Sequence, residues 1–327
     1  MVQKAGKRPE KDHQGRPAEG GSMNRLREVL KHGEFAVTAE CGPPKGADGE
    51  AVIKKAALLR GKVDAVNVTD NQTAIVRMSS LGACTLLKSE GLDPVLQVVV
   101  RDRNRIALQS DILGASALGI VNVLCLSGDH QSFGNQPDAV GVFDLDSIQF
   151  LQVVKAMRDE GVILGGEPLT KAPDLFIGAA ANPFGDPFSF RVVRLAKKIA
   201  AGADFVQTQC IYNLERFEQW MDMARDRGLT ERVHILGGVT PLKSAGMAKT
   251  MKNKVAGMDV PDSLIRRMES VPPKKQGEEG IKICVQTIQR LKEMPGVHGV
   301  HIMAIEWEEK VGEIVERAGL MPRPEGI

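Results

Sequence analysis

Eight short runs rich in Val, Ile and Ala recur along the chain, and a longer amphipathic stretch separates each from the next. A strand covered by helices on both faces reads as a nearly continuous apolar run, whereas a half-exposed strand alternates. The runs read as strands at Phe35–Glu40, Asp64–Asp70, Pro94–Val100, Ile120–Ser127, Leu175–Asn182, Asp204–Gln209, Val233–Val239 and Gly299–Ile305, most of them apolar throughout. Helical patterns fall at Ala51–Arg60, Ile75–Glu90, Arg105–Leu118, Ser147–Glu160, Phe190–Ala201, Leu214–Arg227, Ser244–Lys252 and Trp307–Ala318. A further long helix is expected near Gly280–Met294, between strands seven and eight, and a short one at Asn24–His32 stops at Gly33. Strictly alternating strands and helices imply a parallel sheet. A count of eight favours a single closed (β/α)₈ barrel, an α/β fold of the TIM-barrel type, over an open doubly wound sheet.

Composition narrows the function classes. Of 327 residues, 43% are hydrophobic and 26% charged, enough for one large core, and barrels commonly reach this length. The net charge of +2 and the 4% of aromatic residues, with Tyr212 the single tyrosine, argue against a nucleic-acid-binding surface. No apolar run has the length of a membrane span. Cys41, Cys84, Cys125, Cys210 and Cys284 are widely spaced and form no metal-type pair, which reads as reduced thiols in a cytoplasmic protein. Residues 1–22 are polar and mixed in charge, and are expected to be a disordered tail before a barrel spanning 23–327. Neither Gly165-Gly166 nor Gly237-Gly238 has dinucleotide-fingerprint spacing.

In a barrel of this type the active site lies at the C-terminal ends of the strands. Those ends are polar here: Glu40, Thr69-Asp70-Asn71, Arg101-Asp102, Ser127-Gly128-Asp129, Asn182, Thr208-Gln209, Thr240 and Glu306. Glu40, in TAECGPP, ends an apolar strand at a Gly-Pro-Pro turn. A carboxyl there can be partly desolvated and act as a proton donor, or it can cap the next helix or pair with a neighbouring strand end. Asp129 closes NVLCLSGD, where Gly128 lets backbone approach a planar ligand; it also suits a helix N-cap. Gln209 offers a donor and an acceptor to a heterocycle edge, or ties two loops together. Of the pair Lys197-Lys198, one can reach a phosphate, or both can lie on a solvated helix face. Cys41 and Cys210 follow Glu40 and Gln209, yet have no His/Asp partner evident in the sequence and read as packing residues.

Taken together, FAVTAECGPPKG, AVNVTDNQ, VVVRDRNRIALQSDILGASALGIVNVLCLSGD, FIGAAANPFGDPF and KKIAAGADFVQTQCIYNLERF occur in the order found in one family. From about Met23 to Gly319 the chain resembles the methylenetetrahydrofolate reductases, flavin-containing (β/α)₈ barrels. The resemblance implies reduction of 5,10-methylenetetrahydrofolate to 5-methyltetrahydrofolate, reversibly, in two half-reactions at one flavin. It makes Glu40 the proton donor, Asp129 the acid facing both flavin and pterin, and Gln209 the folate contact. It assigns Thr69, Gln97, Ser127, Gly128, Asp129, Phe143, Ala180, Asn182 and Lys198 to the flavin, with FAD favoured and FMN the alternative. No metal is implied.

Several positions depart from the bacterial pattern. Met247 and Met251 stand where nicotinamide- and folate-contacting residues are found, Glu306-Trp307 replaces an Asn-Arg pair, and Gln97 and Ser127 replace a flavin-binding His and Arg. The implied electron source is therefore NADH or NADPH, or a partner subunit of the kind used in anaerobic one-carbon metabolism, in a homo- or hetero-oligomer. Two other readings are a flavin- or folate-binding subunit with little catalysis of its own, and a flavin-free folate barrel such as a methyltransferase domain.

Overall fold

The structure, a computed structural model, describes residues 25–325; the expected tail at 1–22 lies outside them. Among the described residues, eight parallel strands close into a barrel in sequence order, with the first hydrogen-bonded to the last. They are β1 (Ala36–Cys41), β2 (Ala65–Val68), β3 (Pro94–Val99), β4 (Asn122–Leu126), β5 (Phe176–Ala181), β6 (Phe205–Cys210), β7 (His234–Val239) and β8 (Val297–Ile302). The helices are α1 (Arg25–Lys31), α2 (Gly49–Leu59), α3 (Ser80–Ser89), α4 (Arg105–Ala117), α5 (Ser147–Asp159), α6 (Phe188–Ala200), α7 (Leu214–Arg225), α8 (Ala245–Lys254), α9 (Asp262–Glu269), α10 (Gln276–Lys292) and α11 (Val311–Arg317).

The barrel expectation holds, with local corrections. Strand β1 runs one residue past Glu40, to Cys41. The chain between β7 and β8 carries two helices beyond α8, not one. Helix α3 starts at Ser80 rather than near Ile75, because Thr73 and Ala74 take positive φ and the Ser79 hydroxyl then caps the helix by accepting from Gly82 N. Strand β8 ends at Ile302, and the chain turns tightly after it, with Trp307 N donating to Ala304 O and Glu306 at φ 49°.

Side chains alternate between the helix-covered outside and the barrel interior. Val37, Ala39 and Cys41 face the helices and join the main core; Ala36, Thr38 and Glu40 face inward. The interior is layered. Its floor is apolar, built from Ala36, Ala65, Val95, Leu124, Phe176, Phe205 and Leu236, and α1 plugs it from below with Leu26, Val29 and Leu30. Phe176 and Phe205 stack there with ring centroids 5.1 Å apart. Above the floor lies a polar layer that includes Thr38, Asn67, Gln207 and His301, all buried and hydrogen-bonded to one another.

The floor also explains a glycine within the apolar run of β5. A Cβ on Gly178 would sit 2.3 Å from the Phe205 ring, so the aromatic pair leaves room only for hydrogen. Overpacking of this kind costs about 1–3 kcal/mol. Gly178→Ala is expected to lower the denaturation midpoint accordingly; an unchanged midpoint would show that the floor can shift.

Candidate active site

A cavity of about 610 Å³ opens at the C-terminal mouth of the barrel. Its lining comes from β1, from the loop after β2, from β3 to β6, from α6 and from β8. Glu40, Gln97, Ser127, Gly128, Asp129, Ala180, Asn182, Lys198 and Gln209 all line it. Thr69 and Phe143 do not. Thr69 is buried, its hydroxyl has no hydrogen-bond partner among the described residues, and it lies toward Gly42. Phe143 is 43% exposed on the loop after β4, at φ 42°.

Glu40 projects from the inner face of β1 with its side chain 11% exposed, and one carboxylate oxygen lies 3.9 Å from His301 Nε2. The polar layer beneath fixes that imidazole. Gln207 and Asn67 exchange amide hydrogen bonds at 2.6 and 3.0 Å, and Gln207 Nε2 donates to Thr38 Oγ1 at 3.2 Å. Thr38 Oγ1 then lies 2.9 Å from His301 Nδ1. Thr38 Oγ1 also faces Val300 O at 3.4 Å, and together these contacts hold the imidazole with Nε2 facing Glu40.

Asp129 is exposed on the rim, and its position is set by two loops clamped together. Its carboxylate accepts from Thr73 N at 3.1 Å. The buried Arg101 donates to the carbonyls of Asp129 (3.0 Å) and Asn71 (3.2 Å), and its charge is paired with both Asp102 oxygens at 2.7 Å. Gly128, at φ +84°, packs so closely on Val99 that a Cβ there would come within 3.0 Å. Gln209 sits where the β6–β7 register is irregular between Gln207 and Cys210, a break that re-aims side chains near barrel rims. Its Oε1 accepts from Cys210 N at 3.1 Å.

The wall formed by α6 is cationic. Arg191, Arg194 and Lys198 recur at helical spacing and all line the cavity. Lys198 Nζ donates to Ala180 O at 2.5 Å, and burial, with Arg194 adding to it, pushes the lysine down to about 8. Lys197 instead lies over the exposed Phe190 ring, so of the basic pair it is Lys198 that reaches the cavity. Arg191, Arg194 and His301 were not singled out from the sequence, and Arg101 stood among the polar strand ends without a role. The spacing of the α6 cations was a readable signal, whereas the reach of Arg101 and His301 was not. Met247 and Met251 do not line the cavity; they pack with Tyr212, Leu242 and Met268 in a separate apolar cluster beside α8. The five cysteines are buried, and burial raises their thiols, Cys41 to about 11, as expected for packing residues.

The methylenetetrahydrofolate reductase family model matches residues 25–319. The chain belongs to this family. A Caenorhabditis elegans relative named as a probable NADPH-dependent methylenetetrahydrofolate reductase is 24% identical over 251 residues, covering 75% of this chain and 35% of its own length. Methylenetetrahydrofolate reductase 2 of Schizosaccharomyces pombe is 25% identical over 223 residues, covering 64% of this chain and 33% of its own. The chain thus spans about a third of the length of these curated relatives. An uncharacterized Clostridium thermocellum protein described as binding two copies of 5-methyl-5,6,7,8-tetrahydrofolic acid shares the fold, with a TM-score of 0.62 at 15% identity over 90% of this chain and 98% of that one. Among the described residues, no helix is long and apolar enough to cross a membrane.

The α6 wall generates a pH prediction. The Lys198 ammonium is present below about pH 8 and lost above it, so affinity for a phosphate-bearing ligand is expected to fall as pH rises through that value. With FMN as the probe, Lys198→Met should weaken binding at neutral pH and flatten the profile. A profile equally steep in Lys198→Met would assign the pH dependence to another group.

Proposed function

We propose that this barrel reduces 5,10-methylenetetrahydrofolate to 5-methyltetrahydrofolate, reversibly, with Glu40 as proton donor and with a flavin as its redox cofactor. The observation that carries the reading is the inward-facing Glu40 carboxyl at the floor of a cavity whose α6 wall is cationic, in a chain of this family. The residues present fit a flavin nucleotide. Leu124, Leu126 and Ala180 offer apolar surface to a planar ring, Gly128 allows close backbone approach, and Arg191, Arg194 and Lys198 offer charge to phosphates. A bound flavin would supply the hydride.

The chain's own residues do the remainder. Glu40 gives its proton to the bridging amine of the folate, which opens the five-membered ring to an iminium whose exocyclic carbon is then reduced to methyl. His301 Nε2 faces the carboxylate left behind, 3.9 Å away. Asp129, fixed at the rim by Thr73 N and the Arg101 clamp, places a negative charge that favours the cationic iminium. Gln209 holds the pterin edge by hydrogen bonds. The 5-methyltetrahydrofolate bound by the C. thermocellum barrel is the product expected here.

Electrons reach the site from NAD(P)H or from a partner subunit. The second source is favoured by Met247 and Met251, which are occupied in packing α8 and leave no polar contact for a nicotinamide amide at those positions. Purified flavin-loaded protein is then expected to be reduced only slowly by NADH alone, and rapid reduction would contradict a partner-fed site. For the chemistry itself, Glu40→Gln should slow the folate half-reaction by roughly two orders of magnitude, the scale of general-acid effects, while leaving chemical reduction of the flavin nearly intact. Equal loss in both half-reactions would instead assign Glu40 a structural role, as in a binding subunit.

A further inference from the structure

Glu40 borders two cavities. Besides the 610 Å³ front cavity it lines a second one of about 220 Å³, on the side of the Gly42–Pro44 turn, and only Gln72 is shared with it. The rear cavity is charged: Lys55, Arg77, Glu306 and Glu308 line it. Glu308, in the short turn after β8, is buried; its carboxylate meets Lys55 Nζ at 2.5 Å, and Lys55 also donates to Gly42 O at 3.2 Å. Lys55 remains 28% exposed and Glu306 is exposed, so the charged lining runs from solvent to the back of Glu40. A cavity of this size with this lining has room for several waters, each occupying about 30 Å³ in the liquid.

We propose that this rear cavity is the path by which Glu40 exchanges its proton with solvent, with the Lys55–Glu308 pair ordering the water file and Glu308 passing the proton. The inference rests on the proton-donor role of Glu40 proposed above. A carboxyl that gives up one proton per reductive cycle must regain one, and a stacked folate on the front side excludes water there. The two sides of Glu40 differ in where they lead. His301 is backed by Thr38, Gln207 and Asn67, a buried network that rests on the apolar floor and opens only toward the front cavity, which Gln207 and His301 line. Cys41 points outward into the core with its thiol held protonated. With the front cavity occupied by the stacked folate, the rear cavity is the one that still connects Glu40 to a charged, solvent-facing rim. In the reductive direction an O–H bond breaks at Glu308 or at water and forms at the Glu40 carboxylate, and Glu308 regains its proton from solvent. In the oxidative direction the same bonds break and form in reverse.

The test uses flavin-loaded full-length protein and compares two rates: single-turnover flavin reduction by methyltetrahydrofolate, and steady-state oxidation of methyltetrahydrofolate by an artificial quinone acceptor. Only the second requires Glu40 to release its proton on every cycle. Glu308→Gln should lower the ratio of steady-state to single-turnover rate by roughly tenfold, and imidazole, a small diffusible acid–base pair, should restore it. Ala51→Leu, which takes up space in the rear cavity without removing a charged group, should lower the same ratio without imidazole rescue. A ratio unchanged in both variants, or one lowered in Glu308→Gln but insensitive to imidazole, would overturn the route. If Glu308→Gln does not fold, the Ala51→Leu ratio decides alone. Failure of the wild type to bleach with methyltetrahydrofolate would instead contradict the proposed function.

Discussion

Closing eight parallel strands into a narrow cylinder forces every second side chain into the same interior, where volume and polarity must both be satisfied. This chain meets the constraint in layers. Aromatic and aliphatic side chains fill the floor around the Phe176–Phe205 stack, and Gly178 yields the space that the stack needs. The layer above is polar, and buried polar groups are tolerated only when paired. Thr38, Asn67, Gln207 and His301 satisfy one another across strands far apart in sequence. Their pairing sets the orientation of His301, and through it the surroundings of Glu40. The Glu40 carboxyl therefore inherits its environment from barrel closure rather than from its own loop.

The same geometry separates charges across the mouth. Glu40 and His301 lie at the base, the cations of α6 form one wall, and Asp129 stands on the rim. Arg101 is the mechanical link. It is buried, its charge is neutralised by Asp102, and its remaining donors tie the loop after β2 to the loop after β4. A buried guanidinium held this way keeps two mobile-type segments in one arrangement, because releasing either would leave donors unpaired.

Strand positions were legible because helix-covered strands carry apolar runs, and the eight runs map onto eight strands with shifts of a few residues. The shifts have local causes: positive φ at Thr73 and Ala74 delays α3, and the tight turn at Ala304–Trp307 ends β8 early. The polar layer was partly hidden, since Thr38, Asn67, Gln207 and His301 each stand alone in a run that otherwise reads as buried. Glu40, Asp129 and Gln209 were identified by motif, and barrel topology brings all three to one cavity. Thr69 and Phe143 do not line that cavity: Thr69, the residue after β2, turns inward toward Gly42, and Phe143 lies on the long segment between β4 and α5, whose path the sequence does not fix. The rear cavity was illegible for a different reason: it joins residues 40–77 to residues 304–308, and only the β1–β8 closure makes them neighbours.

The central claim is that folate chemistry takes place at the Glu40 face of this barrel. Its most direct measurement is the visible absorption of flavin-loaded protein mixed anaerobically with methyltetrahydrofolate. The account predicts that the flavin bleaches and methylenetetrahydrofolate forms in equal amount. Tight binding of methyltetrahydrofolate with the flavin spectrum left oxidised would contradict it and assign the barrel to binding alone.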